Sequence, residues 1–442
     1  MTDGLPAGVT IEPVDGGITA PAGFRAAGVA CGIKKSGALD VALIAADGPA
    51  TAAGVFTTNK AQAAPVLVSR EHLAQSGGHA RAVLVNSGCA NACTGPEGMA
   101  AARSSAEFAA SAIGCGAHEI LVASTGVIGV QLDLDKLLTG IGLAGRALSR
   151  EAHGDAARAI MTTDRAPKEA AVSVTTAGGT FHVGGIAKGA GMIEPHMATM
   201  LGFLTTDAGV AGPLLQRALR DAVDVTFNAI TVDGDTSTND TVFLLAGGAS
   251  GVHVGEDAYD VFVAALREVC GRLAKAIVRG GEGATKLVSI TATGAASAEE
   301  ARRAAGTMAS SLLVKTAIHG ADPNWGRLLA AAGRAGVSFD VEHASVLIGP
   351  VVLFKDGVPF DDRAPEAASY LAGTDVDIAV DLGAGGPQSP PSGRATSARS
   401  TWQSMRITAP RHLLASCFSL LASRFSLLAS ASGFCLLATV SR

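Results

Sequence analysis

Thr199 stands between the small residue Ala198 and a long apolar stretch, in the run GGIAKGAGMIEPHMATMLGFLTTD that covers residues 184–207. A threonine so placed marks the Ala198-Thr199 bond as a candidate for self-cleavage. Its hydroxyl attacks the preceding carbonyl, and hydrolysis then frees a threonine that carries its own α-amine. That amine, with an ordinary pKa of roughly 7.7 to 8, serves as general base for the adjacent hydroxyl. Upstream, Gly189 and Gly191 supply backbone with no side-chain bulk around Lys188, so the ammonium is placed against something rather than merely solvated.

Other residue patterns compete for a chemical role. Asp233, Asp235, Ser237 and Asn239 alternate as oxygen ligands do in a calcium loop. Thr238, however, takes the place where that loop needs glycine, and Leu244 that of the bidentate glutamate, so no metal is expected. Cys89 and Cys93 lack a second Cys/His pair at zinc-site spacing. His196 adjoins the nucleophile, but an N-terminal nucleophile brings its own base, and the imidazole is expected to pack or hydrogen-bond locally. No GxxxxGKS phosphate loop occurs.

The elements that position these residues read as mixed α/β. Residues 82–85 and 119–123 are expected strands, and residues 98–113 a helix. Pro213 marks a helix start before LLQRALRDAVDVTF, and a further helix is expected over 258–278. The glycine pairs flanking residues 181–183 suggest a hairpin that feeds the Lys188 loop. With 442 residues, 48% of them hydrophobic but only 4% aromatic, the chain builds its two or three cores from Ala, Val, Ile and Leu. A net charge of -5 and a pI near 6.1 leave no basic footprint for nucleic acid. The start, MTDGLPAGVT, lacks the basic and apolar segments of a secretory signal, and seven irregularly spaced cysteines suit reduced thiols; a cytoplasmic location is expected.

KGAGMIEPHMATML is very similar to the signature of the ornithine acetyltransferase (ArgJ) family, the bifunctional glutamate N-acetyltransferases of arginine biosynthesis. The resemblance continues, in family order, through GGITAPAGFRAAGVACGIKKSGALDVALI, AGVFTTNKAQAAPV, VNSGCANACTG, ASTGVIG, MTTDRAPK, DGDTSTNDT, GGEGATK and ADPNWGR, from about residue 16 to 385. It implies an α/β fold formed jointly by an α chain, residues 1–198, and a β chain, residues 199–386, cut from one precursor and assembled as two copies of each. It also implies Thr199 as nucleophile and Thr125 with Gly126 as oxyanion site. Thr162, Lys188, Thr199 and Glu282 become the substrate-binding residues. The expected reaction takes acetyl from N2-acetylornithine onto Thr199 and passes it to glutamate, with no metal or organic cofactor. Acetyl-CoA is a second donor in some relatives.

The similarity stops after residue 385, where relatives continue toward Trp-Thr-Cys-Asp-Leu. Reading each codon's third base with the first two of the next permits WTCDLGAEYVAVNADYRT over residues 392–410, followed by a stop at 410–411. This points to a frameshift, in the gene or its sequencing, between about residues 385 and 392. Residues 387–442 are accordingly expected to be an aberrant, disordered tail. LLAS recurs there at 413, 420 and 427, but Arg424 interrupts it and the remainder falls short of the roughly 20 apolar residues of a spanning helix. Two other readings stay open: a related N-terminal-nucleophile aminopeptidase in which water resolves the acyl-enzyme, and an inactive frameshifted copy.

Overall fold

The computed structural model describes residues 6–194 and 200–385, together with the backbone of residues 403–408. The fold is α/β. Its strands are β1 (Thr10–Pro13), β2 (Phe24–Val29), β3 (Val41–Phe56), β4 (His79–Cys89), β5 (Ile120–Val127), β6 (Lys168–Thr176), β7 (Gly179–Lys188), β8 (Leu201–Thr206), β9 (Gly209–Val210), β10 (Ile230–Thr231), β11 (Thr241–Ala246), β12 (His253–Val254), β13 (Ala284–Thr293), β14 (Ser345–Ile348), β15 (Val351–Lys355), β16 (Val358–Pro359), β17 (Asp375–Asp381) and β18 (Gln403–Thr408). A large sheet runs β1-β6-β7-β8-β11-β3-β4-β5, with β2 also on β3. A second runs β10-β18-β13-β17-β14-β15-β16.

The centre of the large sheet is buried on both faces, which explains the apolar run that follows Thr199. Along β8 and its parallel partner β11, alternate residues enter opposite cores: Leu201, Phe203, Phe243 and Leu245 on one side, Leu204, Val242 and Leu244 on the other. Phe203 and Phe243, directly opposite in register, bring their rings to 6.2 Å. On one face the helix Tyr259–Gly280 packs on β6 and β7, and the helix Gly212–Val223, opened by Pro213, packs on β3. The helix Gly95–Ile113 contributes its alanines to a separate core under β3, β4 and β5. The second sheet encloses its own core with the helices Ala298–Ala309, Trp325–Gly333 and Ala364–Leu371. Among the described residues no helix is long and apolar enough to cross a membrane.

Segments on the two sides of residue 199 interleave. β8 lies against β7, and β11 is inserted between β8 and β3. Hydrogen-bonded ladders therefore join the two parts of the chain at both borders of the β8–β11 pair. The β6–β7 hairpin turns at residues 177–178, at the first glycine pair, and leads through β7 to Lys188. The second pair, Gly184 and Gly185, sits inside β7 because neighbours crowd it: a Cβ on Gly184 would stand 2.0 Å from the Gly17 carbonyl oxygen. β18, within the span expected to form an aberrant tail, pairs antiparallel with β13 and parallel with β10. The rest of that span lies outside the described residues.

Gly28 in β2 faces the start of the helix His153–Ala159, where a Cβ would lie 2.1 Å from the Asp155 carbonyl oxygen. Gly48 in β3 has nothing within 4 Å of the same position. Gly28→Ala is expected to destabilise the protein by about 3 kcal/mol, since backbone must give way. Gly48→Ala should stay within about 0.5 kcal/mol of wild type. Urea denaturation of both variants checks the contrast.

Candidate functional site

One cavity of about 650 Å³ brings together Thr125, Gly126, Thr162, Lys188 and Glu282, all the expected site residues that the structure describes. Ala198 and Thr199, with His196, lie outside the described residues. The chain on either side is fixed. Before the gap, Met192 takes a positive φ of 61°, uncommon for a residue with a side chain. The Asp233 carboxylate holds it there by accepting the N–H of Met192 at 2.5 Å and of Ile193 at 2.9 Å. Glu194 accepts from the hydroxyls of Thr231 and Ser310, the latter at 3.1 Å. After the gap, the Met200 N–H donates to Asp240 Oδ1 at 2.8 Å.

Thr125 and Gly126 lie in the last three residues of β5, which runs parallel to β4. Gly126 has φ 137°, and a Cβ there would stand 2.3 Å from the Gly88 carbonyl carbon, so glycine alone fits. Ser124 fixes the approach to this pair. Its hydroxyl donates to Asn86 Oδ1 at 2.6 Å, and its carbonyl accepts from Asn239 Nδ2 at 2.9 Å. Asn239 also donates to the Ala90 carbonyl at 2.6 Å. The consecutive residues Asn239 and Asp240 thus tie the Thr125 segment to the residue that follows Thr199.

Lys188, at the end of β7, is buried, and its ammonium donates to Thr125 Oγ1 at 3.0 Å. Burial pushes this ammonium below the ordinary lysine range, with the charge of Lys168 acting in the same sense; Asp164, Asp240 and Glu282 oppose both. Asp164 is the best-connected of those carboxylates. It pairs with Lys168 and accepts the N–H of Gly189 at 2.8 Å and of Thr162 at 3.0 Å. Burial raises its pKa, yet the charges of Lys188 and Lys168 with these bonds outweigh it, and the carboxyl lies below its usual range. Asp240 takes the opposite course. It is fully buried, its Oδ2 has no hydrogen-bond partner among the described residues, and desolvation pushes its carboxyl well above the usual range despite the Met200 N–H and the charge of Lys188.

Glu282 projects from the turn between the helix Tyr259–Gly280 and β13. Its N–H donates to the Ala190 carbonyl at 2.7 Å, and its carboxyl carbon lies 3.2 Å from where a Cβ on Gly191 would be. The residues around Lys188 thus carry glycine for close approach, as the sequence suggested. The cavity also contains Lys34, Asp233 and Asp235. Lys34 was missed in the sequence; its place between Gly32 and Gly37 was the available signal. Asp233 spends its carboxylate on backbone N–H groups. Cys89 is buried, its Sγ 3.3 Å from the Val130 carbonyl oxygen, and burial pushes the thiol up, away from the thiolate a nucleophile needs. What remains is a cavity with cations at Lys34 and Lys188 and anions at Glu282 and Asp235, suited to a small zwitterion.

The model of the ArgJ family matches residues 25–394. The "Arginine biosynthesis bifunctional protein ArgJ" of Dehalococcoides mccartyi (strain CBDB1) is 49% identical over 378 residues, covering 84% of this chain and 92% of that protein. The protein of the same name from Nitratidesulfovibrio vulgaris is 51% identical over 366 residues, covering 83% and 93%. A solved ornithine acetyltransferase from Mycobacterium tuberculosis, complexed with ornithine, is 46% identical, with a TM-score of 0.39, covering 42% of this chain and 98% of that one. With the site residues gathered in one cavity and relatives this similar along most of their length, the chain belongs to the ArgJ family.

Proposed function

We propose that this ArgJ-family acyltransferase of arginine biosynthesis moves an acetyl group from N2-acetylornithine to glutamate through Thr199. The observation that carries the proposal is the meeting of Thr125, Gly126, Thr162, Lys188 and Glu282 in one cavity, with the chain anchored immediately before and after residues 195–199. In the self-cleavage step the Thr199 hydroxyl attacks the Ala198 carbonyl and the peptide C–N bond breaks. Water then hydrolyses the resulting ester and leaves Thr199 with a free α-amine.

In the transfer, Thr199 Oγ attacks the acetyl carbonyl while its α-amine takes the hydroxyl proton. The Thr125 hydroxyl and Gly126 N–H stabilise the oxyanion. The C–N bond of the donor breaks, and ornithine leaves with that proton. The amine of glutamate then attacks the acetyl ester and surrenders a proton to the Thr199 amine, which passes it to Thr199 Oγ as the ester C–O bond breaks and N-acetylglutamate departs. Lys188 holds the substrate α-carboxylate and Glu282 a cationic group. The sequence of steps needs no metal or organic cofactor, and acetyl-CoA is an alternative acetyl donor. The cleaved chains, 1–198 and from 199 onward, assemble as two copies of each in the cytoplasm.

Intact mass spectrometry is expected to find two chains divided at Ala198-Thr199 in the wild type. Thr199→Ala should remain a single chain and lose transfer by roughly 10³-fold or more. A cleaved, active variant would sink the nucleophile assignment, and acetate release without glutamate would favour hydrolysis. The pH profile gives a separate check. Lys188 binds as the ammonium, so activity falls as pH rises through its lowered pKa. Asp164 opposes that lowering; Asp164→Asn should therefore move the alkaline limb of kcat/KM to lower pH, and a limb that stays in place or moves up contradicts the assignment.

A further inference from the structure

The cavity holds two ammonium groups, and neither has a carboxylate oxygen within 4.0 Å among the described residues. Lys188 is the deeper, bonded to Thr125. Lys34 is half-buried on the loop between β2 and β3, where it is fixed from several directions. The buried Asp40 carboxylate accepts the N–H groups of Cys31 at 2.8 Å, Gly32 at 3.1 Å and Lys34 at 3.0 Å. The Lys34 stem lies along the positive-φ Gly88, where a Cβ would come 3.2 Å from its Cγ. Its ammonium donates to the Leu39 carbonyl at 2.6 Å, which uses one of three donors. The charges felt by Lys34 are those of Asp40, Asp164 and Lys188. A half-desolvated cation on a rigid loop, beside a second cation, calls for an anionic ligand rather than for a structural ion pair.

An acidic amino acid carries two carboxylates where ornithine carries one. We propose that Lys34 recognises the side-chain carboxylate of the glutamate acceptor, while Lys188 holds the α-carboxylate common to donor and acceptor. This rests on the acetyl-transfer reading above. The assignment of the two lysines follows from chemistry. The transferred acetyl sits on the α-nitrogen, so the α-carboxylate must lie near Thr125, and Lys188 is the cation bonded to Thr125. The more distant carboxylate reaches the shallower Lys34. When the donor occupies the site, its cationic side chain turns instead to Glu282 and Asp235, exposed on the cavity wall without an ion pair among the described residues.

The test uses the full chain and two acceptors of nearly equal shape, glutamate and glutamine, with N2-acetylornithine as donor. Lys34→Gln is expected to reduce the glutamate-over-glutamine preference in kcat/KM by roughly tenfold or more. The same variant should keep KM for N2-acetylornithine within about threefold and continue to exchange acetyl between N2-acetylornithine and labelled ornithine, which also shows that it folds. Lys34→Arg should retain the preference. An unchanged preference in Lys34→Gln, or parallel loss of both substrates in Lys34→Gln and Lys34→Arg, overturns the proposal. Wild-type protein that exchanges no acetyl between N2-acetylornithine and ornithine overturns the acetyl-transfer reading itself.

Discussion

The site depends on one buried carboxylate. Asp164 faces Lys168 directly and Lys188 through space, and it accepts backbone N–H groups from both the Thr162 loop and the Lys188 loop. Two lysines taken out of water need compensation. Asp240, the other buried acid near Lys188, has its own carboxyl pushed up by desolvation. Asp164 therefore sets the charge balance and also the distance between two walls of the cavity. Of the charges that favour the Lys188 ammonium, that of Asp164 comes first, ahead of Asp240 and Glu282.

Around this clamp the backbone is held by short polar side chains rather than by apolar packing. Asp40 gathers three N–H groups of the Lys34 loop, Asp233 those leading into residues 195–199, and Asn239 the carbonyls beside Thr125. Each converts an irregular loop into a fixed wall, as an acyl-transfer site requires if its donors are to be aimed before the charge develops. The large apolar cores lie behind, where β8 and β11 are filled on both faces.

Much of this was legible in the sequence, for uneven reasons. The strand cores and the helices beginning near Gly95 and at Gly212 follow from apolar periodicity and from proline at a helix start. The site residues were found by resemblance, because Thr125, Thr162 and Glu282 come from segments far apart in the chain and no spacing rule joins them. Lys34 escaped because a lysine in a glycine-flanked loop has no local mark of desolvation; that arises only when β4 brings Gly88 against its stem. Asp233 and Asn239 offered a pattern that the sequence itself set aside, since Thr238 and Leu244 stand where a calcium loop needs glycine and glutamate. Their alternation resembles a metal loop, whereas their partners are backbone groups from other parts of the chain. Of the two glycine pairs that marked the hairpin, the first lies at its turn and the second relieves crowding within β7.

The interleaving of the large sheet has a consequence for the chain as it is made. β3 is complete at Phe56, but the strand that covers the hydrogen-bonding edge of its second half, β11, is not synthesised until Ala246. Until then the nascent polypeptide presents an unpaired strand edge with an alanine-rich, uncharged sequence, a natural template for a neighbouring chain. Emergence of β11 closes that edge and joins β8 to it in the same event. Any delay in translation between these two strands thus lengthens the interval in which aggregation competes with folding, well before the site has taken shape.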